Sequence, residues 1–191
     1  MSTKVVESVK TRLTKKLLRS KILLKLKTQK EEDRERKSKI IKEKLFKDPV
    51  FKKAQNIMFY IAFGGEVDTK EMILEARKIG KTIAVPVCKT SRIIEPCLLD
   101  GKSKLIKGLH CVREPVIKKT VDLEHLDLII VPGVAFDKAG NRLGRGMGCY
   151  DYFLKRSPGG TPSIGLAFDF QILPSIPTSE RDSGVTKVLF A

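Results

Sequence analysis

The stretch DLIIVPGVAFDKAGNRLGRGMGCYDYFL, Asp127 to Leu154, organises the whole chain. Its first five residues, DLIIV, carry the continuous apolar run Leu128 to Val131, the pattern of a parallel strand buried on both faces. Around Tyr152, Phe153 and Leu154 the pattern predicts a helix. Between them lies a glycine-rich loop, Pro132 to Gly148. A strand, a glycine loop and a helix in succession are the repeating unit of open α/β sheets.

The flanking sequence extends that pattern. Ile57 to Phe63 (IMFYIAF) and Thr82 to Val87 read as two earlier buried strands. Ser163 to Phe168 and Val185 to Phe190 read as two later ones. Asp68 with Glu71 resembles a capping box that opens a helix running to Ile79, with Gly80 as its stop. The stretch Ile93 to Val121 mixes proline, glycine and charge and predicts irregular strands or a hairpin. The expected fold is α/β: one domain over residues 1–191, with an open, mostly parallel sheet and helices on both faces.

Two basic helices precede the first strand. Val5, Val9, Leu13 and Leu17 recur every four residues, with Val6 and Leu24 near the same face, which predicts an amphipathic helix with lysines on its far side. A second helix runs from about Glu31 through Ile40, Ile41 and Leu45, and Pro49 stops it or follows its end. Net charge is +16, and residues 1–53 hold 19 Lys and Arg against 7 Asp and Glu. The basic segment 1–53 is expected to pack on a nearly neutral body. Such a stripe suits a polyanion such as a nucleotide or an oligoglutamate tail. The blander reading is a solvated face on a heat-adapted protein, which the five Asn and Gln in the chain also fit.

Several classes drop out. No apolar run approaches the roughly 20 residues that span a bilayer, and the start lacks the apolar core of a signal peptide. A cytoplasmic protein with no membrane partner is expected. Cys88, Cys97, Cys111 and Cys149 form no CxxC, and with His110 and His125 they offer no zinc spacing. They read as small buried or idle side chains. Binding of nucleic acid by the basic helices is the rival reading. Three tyrosines, no tryptophan and no recognisable nucleic-acid motif speak against it.

Within the loop, GNRLGRGMG at Gly140–Gly148 interleaves four glycines with Arg142 and Arg145. Glycine lets backbone N–H groups converge on phosphate oxygens, and arginine adds permanently charged, fork-shaped donors. A helix beginning near Cys149 adds its positive end. The loop is not a P-loop, for GxxxxGK[ST] is absent. Nor is it the GxGxxG fingerprint, because Cys149 stands where the third glycine belongs. On α/β sheets ligands collect at the carboxyl ends of strands, so Gly64-Gly65-Glu66 after the first strand and Pro132–Gly148 after DLIIV are candidates for one site.

The string VPGVAFDKAGNRLGRGMGCYDYFL, Val131 to Leu154, closely resembles the signature of 5-formyltetrahydrofolate cyclo-ligases, also called methenyltetrahydrofolate synthetases. Lys15 and Arg19 match the KxxxR of that family's first helix, Gly65–Thr69 (GEVDT) its early glutamate loop, and Asp182 a late acidic position. The match spans nearly the full length, with a nondescript middle over residues 90–120. It implies an ATP-dependent carbon–nitrogen ligase that closes 5-formyltetrahydrofolate, with one glutamate or a polyglutamate tail, to 5,10-methenyltetrahydrofolate, using Mg²⁺ and releasing ADP and phosphate.

The resemblance also implies roles residue by residue. Lys15 and Arg19 contact ATP, and so does the run Arg142, Leu143, Gly144, Arg145, Gly146, Met147, Gly148, Cys149 and Tyr150. Arg142 and Arg145 carry the catalytic charge. Ile61 and Glu66 contact the folate, together with the segment Arg145 to Tyr150. Asp151 and Asp182 hold the metal, as hard oxygen ligands do. Three residues depart from the family pattern: Cys149 replaces an aromatic, Met147 a Gly or Lys, and Arg181 a His. They bear on specificity rather than reaction class.

Overall fold

A computed structural model describes the backbone from Thr3 and the side chains from Val9 to Ala191, apart from Lys102, His110 and Cys111. The side chains of Val5 and Val6, and His110 and Cys111, therefore lie outside the described residues. Six strands form one sheet: β1 (Asn56–Met58), β2 (Thr82–Cys88), β3 (Ile94–Leu98), β6 (Leu128–Val131), β9 (Ser163–Ala167) and β11 (Lys187–Phe190). Their order is β11-β9-β6-β1-β2-β3. Every neighbouring pair is parallel except β2 with β3, so the expected mostly parallel sheet is found.

Alternation along the strands makes two cores. Ile57, Ile83, Val85, Leu128, Ile130, Ile164 and Leu166 face one side. There they meet Ile22 and Leu26 of α1 (Thr3–Thr28), Ile41 and Leu45 of α2 (Glu31–Lys47), Phe51 of α3 (Pro49–Lys53), and Met72, Ile73 and Ala76 of α4 (Lys70–Lys78). Met58, Ala84, Ile129, Val131 and Ala167 face the other side, against Phe153 of α5 (Cys149–Arg156) and Phe136 of β7 (Ala135–Asp137). Helices thus cover both faces, and the 1–53 segment packs on the body. Two small sheets complete the fold: β7 with β8 (Arg142–Leu143) and β10 (Ile172–Leu173), and a hairpin of β4 (Leu105–Lys107) and β5 (Arg113–Pro115). That hairpin accounts for the irregular middle of the chain.

Three local expectations need correction. The first strand ends at Met58 rather than Phe63. Beyond it side chains take over the backbone bonding: the Thr69 hydroxyl donates to the Tyr60 carbonyl (2.7 Å) and accepts the Ala62 N–H (3.3 Å). In α4 the N-cap is Thr69, which makes no side-chain cap bond, and Asp68 before it accepts the Lys70 N–H (2.8 Å), so the expected capping box is not formed. Most consequential is α1. Val9, Leu13, Leu17 and Leu24 are each more than half exposed, and the packed face is instead Lys15, Leu18, Arg19, Ile22 and Leu26. The four-residue repeat of Lys15, Arg19, Leu23 and Ile22, Leu26 fixes that face, because its outer turns reach polar partners and its inner turns reach the core.

Phe136 is fully buried, and its ring lies where Gly133 and Gly165 have no side chain. Phe136→Ala should therefore destabilise the fold by about 3–5 kcal/mol, read as a shift of the denaturant midpoint. A loss below about 1 kcal/mol would mean that the surrounding glycine strands collapse onto the space.

Candidate functional site

The glycine loop is built from a buried carboxylate outward. Asp137 Oδ1 accepts the Ala139 N–H (3.1 Å) and the Asn141 N–H (2.9 Å). Its Oδ2 accepts Asn141 Nδ2 (2.9 Å) and the Ile176 N–H (3.0 Å). Burial alone would raise this carboxyl, but the four donors hold it below the ordinary value. Gly140 sits at φ +83, where a Cβ would stand 2.3 Å from the Val185 carbonyl oxygen; no other residue fits. The turn so formed pairs β7 with β8 and delivers Arg142 and the loop that follows it.

The second loop comes from the end of β1. Gly65, at φ +82, lies against α1, where a Cβ would stand 2.0 Å from the Leu26 carbonyl oxygen. Gln29 Nε2 donates to the Gly65 carbonyl (2.7 Å), and Arg34 Nη1 donates to that of Glu66 (3.3 Å). Both helices of the basic segment therefore hold this loop in place.

The two loops meet. Arg145 donates to Glu66 Oε1 through Nε (3.0 Å) and Nη2 (2.7 Å), and its guanidinium stacks on Phe63 at 4.1 Å. Glu66 is buried, and burial lifts its carboxyl above the ordinary value, with Arg145 pulling the other way. Arg142, also buried, donates through Nη2 to Asp151 Oδ1 (2.7 Å). Each arginine of the loop thus faces its own carboxylate.

An apolar pocket opens at the carboxyl ends of β1, β2 and β6. Tyr60, Ile61, Pro86, Cys88, Pro132 and Val112 line it, with Glu66, Arg142, Gly144, Arg145, Met147, Gly148, Cys149, Tyr150 and Asp151. Among the described residues Arg142 Nε and the Tyr150 hydroxyl are buried with no hydrogen-bond partner. Such an atom costs about 1–3 kcal/mol unless something satisfies it, so both are fit to bond a ligand. Burial pushes the Tyr150 hydroxyl far up, which keeps it protonated and able to donate.

Lys15, Arg19 and Asp182 form a second group outside that lining. Lys15 pairs with Asp182, and Arg19 Nε donates to the Gly144 carbonyl (2.8 Å). Burial lowers the pKa of Arg19, while the fields of Asp182 and Asp151 both raise it, so this cation serves both carboxylates. Asp182 accepts Ser179 N–H (2.6 Å) and hydroxyl (2.8 Å). Its neighbour Ser183 donates its N–H to Asp151 Oδ1 (3.1 Å), tying that turn to α5. Leu143 is buried in the core behind the loop rather than lining the pocket.

Among the described residues no three His, Cys, Asp or Glu side chains group as a metal cage. Asp151 and Asp182 could hold Mg²⁺ only with ligand oxygens and water, the arrangement Mg²⁺ favours with phosphates. Composition had no means of marking Cys88, Val112, Tyr60, Ser179 or Ser183, whose importance lies in where the chain brings them. Cys88 and Cys149 are not idle in position, since both line the pocket. Burial pushes the Cys88 thiol up to about 11, which leaves it protonated and unreactive at neutral pH.

An α/β sheet with a glycine- and arginine-rich loop beside an apolar pocket is what fold and site together define. A family model described as the 5-formyltetrahydrofolate cyclo-ligase family matches residues 11–191. The chain is 31% identical to the 5-formyltetrahydrofolate cyclo-ligase of Mus musculus, over 92% of this chain and 93% of that one. It is 35% identical to the Aquifex aeolicus 5,10-methenyltetrahydrofolate synthetase whose NMR structure is known. That structure superposes with a TM-score of 0.82, covering 92% of this chain and 89% of that one. A Mycoplasma pneumoniae 5,10-methenyltetrahydrofolate synthetase, 23% identical with a TM-score of 0.76 over 92% of this chain and 97% of that one, supports the fold. The chain belongs to the 5-formyltetrahydrofolate cyclo-ligase family, a family of enzymes. No helix among the described residues is long and apolar enough to cross a membrane.

Burial alone would raise the Asp182 carboxyl, but hydrogen bonds from Lys15 and Ser179 more than offset it and hold it below the ordinary aspartate value. Its stabilising contribution is complete above the ordinary aspartate value and is lost as pH falls through the lowered one. Asp182→Asn should therefore flatten the acid limb of stability against pH, measured by denaturant midpoints. An acid limb identical to that of the parent protein would show that this carboxylate carries no such load.

Proposed function

We propose that this chain cyclises 5-formyltetrahydrofolate to 5,10-methenyltetrahydrofolate, consuming ATP with Mg²⁺ in the cytoplasm and releasing ADP and phosphate. The observation that carries the reading is the Arg145–Glu66 pair, which joins an anion-binding loop to an apolar pocket suited to a flat ring. Family membership supplies the reaction class. The chain acts as one unit over residues 1–191, since α1 brings Lys15 to Asp182 and Arg19 to the loop.

A formamide is a poor electrophile, and its oxygen is a poor leaving group. The formyl oxygen attacks the γ-phosphorus and ADP leaves, converting that oxygen into a phosphate ester. Nitrogen 10 of the folate then attacks the formyl carbon and loses its proton, and phosphate departs with the former formyl oxygen. The protein's share of such chemistry is positioning and charge neutralisation. Arg142, Arg145 and the N–H groups from Gly144 to Gly148 hold the phosphates, with Lys15 and Arg19 behind them. Glu66 accepts hydrogen bonds from the amino and amide edge of the pterin, and Ile61 and Tyr150 wall the ring. When Glu66 takes the pterin it releases Arg145 toward the phosphates, so folate binding and catalytic charge are coupled through one ion pair. Asp151 and Asp182 would hold Mg²⁺, which would supply further charge neutralisation.

Incubation with 5-formyltetrahydrofolate and Mg-ATP should produce the near-ultraviolet absorbance of the methenyl product with one ADP per turnover. Absence of both signals across a range of temperatures would end the reading. Arg145→Ala should lower kcat/KM by roughly 10²–10³-fold with an unchanged far-ultraviolet dichroism spectrum. Near-parental turnover in that variant would remove Arg145 from the catalytic charge.

A further inference from the structure

The turn between β2 and β3 reaches the glycine loop. The Cys149 thiol donates to the Ser91 carbonyl across 3.5 Å. The turn is also closed within itself: the N–H groups of Lys89 (2.8 Å) and Thr90 (3.3 Å) donate to the Ile93 carbonyl. The Thr90 hydroxyl accepts the N–H groups of Arg92 (3.3 Å) and Ile93 (3.1 Å). This geometry sets the Arg92 guanidinium over the loop. A Cβ built on Gly148 would stand 3.7 Å from Arg92 Nη2 and 3.9 Å from Asp151 Oδ2.

Arg92 differs from the other cations of the site. Lys15, Arg142 and Arg145 are each paired with a carboxylate, Arg19 donates to the Gly144 carbonyl, and Lys89 in the same turn pairs with Glu95. Among the described residues the guanidinium of Arg92 has no hydrogen bond or ion pair, and the residue is exposed at the pocket rim. It stands beside the first turn of α5, whose free N–H groups add to its positive field. Below it, inside the pocket, Arg142 Nε and the Tyr150 hydroxyl also lack partners.

We propose that Arg92 is a further ligand-binding residue of this site, receiving an oxyanion over Gly148, and that Cys149 positions it by holding its turn. The oxyanion is a phosphate or a carboxylate; its identity rests on the proposed function, in which ATP brings the first and the folate glutamate tail the second. A bare guanidinium beside a helix start is suited to either, through two parallel N–H···O bonds. An S–H donor is weak, and its role here is to set the register of a turn rather than to supply binding energy.

Direct binding to the full chain tests this independently of turnover. Titrations would use ATP, inorganic tripolyphosphate, and 5-formyltetrahydrofolate as monoglutamate and as polyglutamate. Arg92→Ala should weaken one ligand class roughly 5–20-fold, with Arg92→Lys recovering most of the loss and the melting temperature unchanged. Loss for ATP and tripolyphosphate assigns a phosphate; loss for folate, larger with the polyglutamate, assigns a carboxylate. Cys149→Val should weaken the same ligand, while Cys149→Ser, which keeps a donor for Ser91, should not. Unchanged affinity for every ligand in Arg92→Ala overturns the proposal, and equal behaviour of the Val and Ser variants overturns the role of Cys149. Arg92-dependent anion binding in a parent protein that turns over no folate would keep this site and refute the cyclisation. A parent protein that binds none of the four ligands overturns both.

Discussion

A single buried carboxylate, Asp137, organises the part of the molecule on which everything else depends. Its two oxygens take four donors: the N–H groups of Ala139, Asn141 and Ile176 and the Asn141 amide. An ionised group in that position would be costly if bare, and it is tolerated because every lone pair is used. The effect is to bend β7 into β8 at one residue, Gly140, and to anchor the bend to the segment at Ile176. Arg142 emerges from the second strand of that bend, the glycine loop follows, and α5 starts where the loop ends. Loss of that register would displace both arginines of the loop together.

The charges of the site are held in balance by internal partners. Arg142 and Arg145 each meet a carboxylate, Lys15 meets Asp182, and Arg19 lies between two aspartates and a carbonyl. Partly buried pairs of this kind contribute less to stability than their short distances suggest, because removing both charges from water is expensive. Their value is that the cations are already oriented. Groups held in position in this way need little further ordering to take a new partner.

The basic N-terminal segment acquires a definite job from the same geometry. The inner turns of α1 are anchored in the core by Ile22 and Leu26, and its earlier turns carry Lys15 onto Asp182 and Arg19 onto the glycine loop. The helix is thus both a structural layer and one wall of the site. Its excess lysines stand on other faces. Leu13, Leu17 and Leu24 point outward, so the apolar repeat most visible in the sequence is not the one that packs.

The sequence alone determined much of this protein. The apolar runs Leu128–Val131 and Thr82–Val87 read as strands buried on both faces, and alternating them with helical patterns predicts the parallel sheet that is found. The composition GNRLGRGMG singled out this loop without any knowledge of the fold, because interleaved glycine and arginine suit an anion, although a glycine-rich turn can equally be structural. Tertiary structure decided what depends on distance through space rather than along the chain. Glu66 and Arg145 are 79 residues apart, and Lys15 and Asp182 are 167 apart, so no local pattern could pair them. The packed face of α1 was decided in the same way: two apolar repeats competed on one helix, and the winner was the one whose next turns found Gly144 and Asp182. Cys149, opaque in sequence, became intelligible only when the β2–β3 turn brought Ser91 and Arg92 to it.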